Sequence, residues 1–297
     1  MAANPNKILM PANNKMINDQ LREMQLKLND QNQEKQYISM IKKLETFENG
    51  AVIKQKYELM QGLTGCEFPN VYSVYKKDSH GKPKGQIQLK YKEKSTYCDR
   101  CISSTCKPFN INVYNISKDF QDEIGMRCTK ECACSYCCCN RQEMQCWYYE
   151  KGEEKFLGRC FDNCDPCDFI YEIYDNSGSL ELNADFFNRG KLDYIVKSNC
   201  CQLYFWCRCP CRTCNEITFE IFDNVAAYQS IGKLVRYGRE CCQSSLIINE
   251  NADQFKLDFP KLSDWRKRAM LINLCVFIDY ALFEESSDRN NGGYNQR

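Results

Sequence analysis

The chain has 297 residues, 43% hydrophobic and 27% charged, and its 40 basic and 39 acidic side chains leave a net charge of +1. That balance gives no electrostatic footprint for nucleic acid, and the one histidine, His80 in a turn-like Asp78-Ser79-His80-Gly81 segment, argues against histidine catalysis. With neither a phosphate-binding loop nor a Gly-x-Ser-x-Gly elbow, ATP use and serine-hydrolase chemistry lack support.

The chain opens Met-Ala-Ala-Asn-Pro, without a charged segment leading into an apolar run, and is therefore expected not to be secreted. Residues 1–48 lack cysteine, are rich in Asn, Gln, Lys and Glu, and place Ile17, Leu21, Met24 and Leu28 at helical spacing. This predicts a polar extension with a helix over about 16–46, ended by the Asn49-Gly50 turn signal. Its charges are mixed rather than strongly basic. The helix is thus expected to pack on the main domain or to hold a protein partner, in preference to lying on a membrane.

From residue 50 the pattern becomes strand, turn, strand. Ile87, Leu89 and Tyr91 alternate with polar residues, as do Ile111 and Val113. The same alternation returns at Phe169, Tyr171 and Ile173, at Leu192, Tyr194 and Val196, and at Ile217, Phe219 and Ile221. Each run buries one side of a strand, and turn clusters such as Asp175-Asn176-Ser177-Gly178 separate them. Short strands at this density predict an antiparallel sandwich or barrel.

Residues 269–283 break the rhythm, being apolar on almost every face, with Ala269, Leu271, Leu274, Phe277, Ile278 and Phe283 among them. Fifteen helical residues reach about 22 Å against a hydrocarbon core of about 30 Å. Asp279 and Asn273 add to the cost of a span, because a central Asp is charged about 2.5–3.5 kcal/mol on insertion scales. A buried helix down the middle of a barrel fits better. Residues 286–297 read as a disordered polar tail.

Twenty-three cysteines require a chemical explanation. Thiols inside cells are normally kept reduced, so a disulfide framework is the weakest reading, and the sequon at Asn115 is expected to go unused. Four Cys-x-x-Cys pairs admit zinc, with Cys207, Cys209, Cys211 and Cys214 the best single set. The run Cys132, Cys134, Cys137, Cys138 and Cys139 admits thioester-linked palmitate as well. Spacing alone does not choose between lipid and zinc there.

Several ordered segments resemble the phospholipid scramblase family over about residues 49–285. They are Ile53-Lys54-Gln55-Lys56-Tyr57-Glu58-Leu59, Leu63-Thr64-Gly65, the Cys132–Cys139 run and Cys164-Asp165-Pro166-Cys167. Thr218-Phe219-Glu220-Ile221, Asp253-Gln254-Phe255, Leu257-Asp258-Phe259-Pro260 and Ile278-Asp279-Tyr280 continue the series. The resemblance implies a Tubby-like closed barrel of about 12 strands around a central apolar helix. It implies ATP-independent, calcium-stimulated movement of phospholipids between leaflets, and palmitate on Cys132, Cys134, Cys137, Cys138 and Cys139. The family's calcium segment corresponds to Asn251–Leu262, with Asn251, Asp253 and Asp258 as the oxygen ligands here. That loop departs from the family pattern: Asn251 replaces an Asp, Lys256 stands where a turn glycine belongs, and Leu262 replaces the closing acid.

Two readings of function follow. The first is a scramblase-family protein, not a bond-making enzyme, acyl-anchored at the cytosolic face of the plasma membrane or an endomembrane. The second is a membrane-associated scaffold whose barrel binds lipid headgroups or proteins; a zinc-stabilised interaction module is a weaker third.

Overall fold

The computed structural model of the chain describes residues 12–56, 69–95, 108–116, 124–131, 141–163, 165, 167–178, 188–202, 216–224, 229–237, 254–261 and 263–283. A long helix, α1 (Ala12–Glu45), precedes twelve strands and a shorter helix. The strands are β1 (Ala51–Lys56), β2 (Val71–Lys77), β3 (Pro83–Glu93), β4 (Phe109–Asn115), β5 (Ile124–Lys130) and β6 (Glu143–Glu150). They continue as β7 (Glu153–Asn163), β8 (Asp168–Tyr174), β9 (Leu192–Asn199), β10 (Glu216–Asp223), β11 (Ser230–Tyr237) and β12 (Gln254–Asp258). Helix α2 (Trp265–Ile278) follows and widens into one π-helical turn, Asp279–Phe283.

Each strand pairs antiparallel with its neighbour in sequence, and β12 returns to β1, so the sheet closes into a barrel. The closing seam sets Ala51 against Leu257 and Ile53 against Phe255. Closure removes sheet edges, and the period-two pattern then decides which side chains face inward. Leu89, Tyr91, Ile111, Val113, Tyr171, Ile173, Val196, Phe219 and Ile221 share one core with α2. The expected mainly β architecture, a closed barrel of 12 strands with a helix at each end of the chain, is what the structure shows.

Helix α2 starts four residues earlier than its apolar run. Asp264 caps it, accepting from the Lys267 N–H at 2.9 Å, and Trp265 to Arg268 form the first turn at the barrel mouth. Every residue from Ala269 to Ile278 is buried. Fourteen residues give a helix of about 21 Å, which matches a small barrel and falls short of a bilayer. No helix among the described residues is long and apolar enough to cross a membrane.

Among its described side chains, helix α1 docks by its C-terminal third. Met40, Leu44 and Phe47 are buried, and Gly125 on β5 allows the approach, since a Cβ there would lie 2.6 Å from Met40 Sδ. Tyr37 stacks on Tyr148 and meets Trp265 edge-on. The Arg268 guanidinium, from α2, donates to the carbonyls of Leu44 at 3.1 Å and Glu45 at 2.7 Å, closing the end of α1. Gly50 makes the turn into β1 at φ +103°, with Leu257 O only 2.0 Å from where a Cβ would stand.

Candidate functional site

A helix buried on all faces would be free to slide or rotate if only apolar contacts held it. Three polar contacts prevent that. The Tyr91 hydroxyl donates to Asn273 Oδ1 at 2.6 Å, and the Tyr72 hydroxyl donates to Asp279 Oδ2 at 2.8 Å. The Tyr280 hydroxyl donates to Glu93 Oε2 at 2.8 Å, which also accepts from the Asn70 N–H. Arg236 on β11 brings its Nε within 3.9 Å of Asp279 Oδ1 and lays its guanidinium over the Phe283 ring. An unmade buried hydrogen bond costs about 1–3 kcal/mol, so these contacts fix the height and rotation of α2. Among the described residues, side chains of α2 and of the strands pack together in one core inside the barrel.

One wall of that interior carries thiols. Cys128 on β5 is the register partner of Cys146 on β6, Cys160 follows on β7, and Cys275 faces them from α2; all four are free and buried. Burial would push the Cys146 thiol up, but hydrogen bonds from Cys128 and Cys160 reverse this and hold it below its ordinary value. Cys128 is pushed well up, chiefly because its proton is engaged with Cys146 and also by burial. Burial does the same to Cys160.

The outer face of β7–β10 holds a cleft of about 800 Å³. Asp168, Glu172, Lys197 and Glu220 supply charge there, and Ile170, Ile195 and Phe222 supply apolar surface. Lys197 Nζ pairs with Asp168 Oδ2 at 2.6 Å. Glu172 accepts from Asn163 Nδ2 at 2.8 Å and from the Tyr174 hydroxyl at 2.6 Å. The floor is a seam in which β9 and β10 pair only from Tyr194 to Lys197. Beyond it the Gln202 side chain takes the place of strand, donating to Thr218 O and accepting from the Thr218 N–H, both at 2.8 Å. Three carboxylates and one lysine, itself paired with Asp168, thus stand beside apolar side chains on this surface.

Of the residues singled out from sequence, Ala269, Leu271, Leu274, Phe277, Ile278 and Asp279 are buried inside the barrel, and Phe283 is half-buried under Arg236. Asp258 ends β12 paired with Lys77. Cys132, Cys134, Cys137, Cys138 and Cys139, the set Cys207, Cys209, Cys211 and Cys214, and Asn251 and Asp253 lie outside the described residues. Among the described residues no group of three or more His, Cys, Asp or Glu side chains is placed to hold a metal ion. His80 sits exposed in the β2–β3 turn, its N–H donating to Asp78 Oδ1. Asn115 of the sequon is fully buried and accepts from Lys43 Nζ at 2.7 Å, leaving no room for a glycan. Sequence reading missed the latching tyrosines and the inward thiols. Their one signal was polar or sulfur residues at inward positions of alternating strands, namely Cys128, Cys146 and Cys160.

The Scramblase family model matches residues 24–199. Human phospholipid scramblase 1 is 23% identical over 257 residues, covering 86% of this chain and 67% of that protein. Human phospholipid scramblase 2 is 25% identical over 240 residues, covering 79% and 67%. Mouse phospholipid scramblase 1 is 23% identical over 242 residues, covering 80% and 62%, so the chain spans about two thirds of the length of these relatives. No solved structure matches the chain significantly.

Proposed function

The chain belongs to the Scramblase family, which it matches over more than half its length, and on that premise we propose that it moves phospholipids between membrane leaflets without ATP. The carrying observation is the family match over residues 24–199, which takes in β1 to β9 of the barrel. Palmitate on Cys132, Cys134, Cys137, Cys138 and Cys139 anchors the protein at the cytosolic face, since one acyl chain alone binds a membrane only marginally. The barrel interior is filled, so the headgroup travels outside it. The β7–β10 cleft meets the headgroup, with Glu220 toward its ammonium while Lys197 stays paired with Asp168. Any calcium response is shallow. A calcium site takes about 6–8 oxygens, whereas Asp258 is engaged with Lys77 and Asp264 caps α2.

The filled interior favours a second reading, a lipid- or protein-binding scaffold that moves nothing. Reconstitution separates the two. Full-length protein in vesicles carrying fluorescent phospholipid, quenched from outside with dithionite, is expected to expose inner-leaflet lipid, with little change on adding calcium. Quenching no greater than in protein-free vesicles would sink the scramblase reading and leave the scaffold.

A further inference from the structure

Docking sorts the side chains of α1 in a way that its mixed composition hides. Tyr37, Met40 and Leu44 face the barrel. A flank turned away from these three side chains carries one ladder at alternating helical spacing, Leu21, Met24, Leu28, Lys35, Ser39 and Lys42, with Thr46 just past the helix end. Its outer half is apolar and exposed, Met24 by 69% and Leu28 by 60%. Its inner half is cationic. The carboxylates Asp19, Glu23, Asp30, Glu34 and Glu45 form a separate ladder about a third of a turn away. Leu26, also exposed, falls on the side of Tyr37 and Leu44 and belongs to neither ladder.

The cationic half borders a cleft of about 480 Å³ between α1 and β2, lined by Lys35, Lys42, Lys43, Lys76, Ser39 and Thr46 with Ile38 at its rim. No carboxylate lines it. Lys43 is held in place by Asn115 Oδ1 and the Ile116 carbonyl. Burial, and then the Lys76 ammonium, push the Lys43 amine down, as expected where cations crowd without a counter-charge.

We propose that this face of α1, with Lys76, is the surface by which the protein lies on a membrane bearing anionic phospholipids. Leu21, Met24 and Leu28 enter the acyl boundary, and Lys35, Lys42 and Lys76 meet headgroup phosphates. A second copy of α1 is the competing occupant of an apolar helix stripe, but the lysines that continue the seam would repel their equivalents in a parallel pair. The family reading enters only in the choice of a phospholipid surface as partner; docking does not require that lipid be moved.

The test is sedimentation of full-length, unacylated protein with vesicles of phosphatidylcholine alone or mixed with phosphatidylserine. Wild type is expected to bind the anionic vesicles, and to lose most of that binding in about 1 M salt, where screening acts within about 3 Å. The variant Lys35→Gln/Lys42→Gln/Lys76→Gln is expected to bind about a hundredfold more weakly, at roughly fivefold per lysine. Leu21→Gln/Met24→Gln/Leu28→Gln is expected to weaken binding with its helix content unchanged. Unaltered binding by the lysine variant, or equal binding of wild type to both vesicles, would overturn the proposal. So would a dimer, seen by light scattering, that dissociates on Met24→Gln. Binding that persists where leaflet exchange fails leaves docking standing and removes only the scramblase reading.

Discussion

Tyr91 shows how one hydroxyl positions a whole helix. Its ring belongs to the core of β3, yet its oxygen reaches Asn273 Oδ1 across the barrel at 2.6 Å. Tyr91→Phe keeps the ring and leaves a fully buried amide oxygen without its donor. The expected loss is about 1–3 kcal/mol, read as a lower denaturant midpoint with unchanged slope. Adding Asn273→Leu removes the stranded amide and keeps the count of side-chain heavy atoms, so the double variant is expected to recover part of that loss. A double variant no more stable than Tyr91→Phe would show that the contact is not what holds α2 at this point. None of this was legible in the sequence. The partners of the three latches lie 182, 207 and 187 residues apart, and an alternating strand looks the same whether its tyrosine hydroxyl is satisfied or wasted.

Between elements, Arg268 joins the two helices. Helix ends leave carbonyls unsatisfied, and Arg268, from the first turn of α2, takes those of Leu44 and Glu45 at the end of α1. The Trp265 ring beside Tyr37 and Tyr148 makes the same connection through packing. Arg268→Ala is therefore expected to raise amide exchange across residues 37–47 by about tenfold, a shift of order 1.4 kcal/mol, with the barrel strands unchanged. Equal loss of protection in β3 or β8 would mean that α1 is an integral part of the barrel's cooperative unit. At this scale the sequence was informative. Period-two runs marked the strands, Asn49-Gly50 marked the end of α1, and the all-round apolar run marked the buried helix. The sorting of α1 into apolar, cationic and acidic ladders became readable only once Met40 and Leu44 showed which side meets the barrel. Composition averages over faces; docking does not.

Taken whole, the molecule buries ionisable groups all around one core, and this makes its stability a function of pH. Tyr91 on β3, Tyr171 on β8 and Cys275 on α2 are wholly enclosed, and burial pushes each above its ordinary value of 10.0 for tyrosine or 9.0 for cysteine. A barrel closed around a central helix admits no water through its wall, so these groups keep their protons while the barrel stands. The unfolded chain releases them at their ordinary values. Above about pH 9 it therefore binds fewer protons than the folded protein, and the free energy of unfolding falls as pH rises. Each such group contributes up to about 1.4 kcal/mol per pH unit, and several act together because they line one cavity. The stabilisation is fully present below about pH 9 and is lost progressively as pH rises through 10 and beyond. Cys146, lowered in the fold, acts the other way and adds stability as pH rises toward 9, so urea midpoints should climb up to about pH 9 and drop above it, with fluorescence and circular dichroism following one curve. A flat profile to about pH 11 would mean that solvent reaches these side chains in the folded state, and that the barrel is not the sealed container its strand pairing describes.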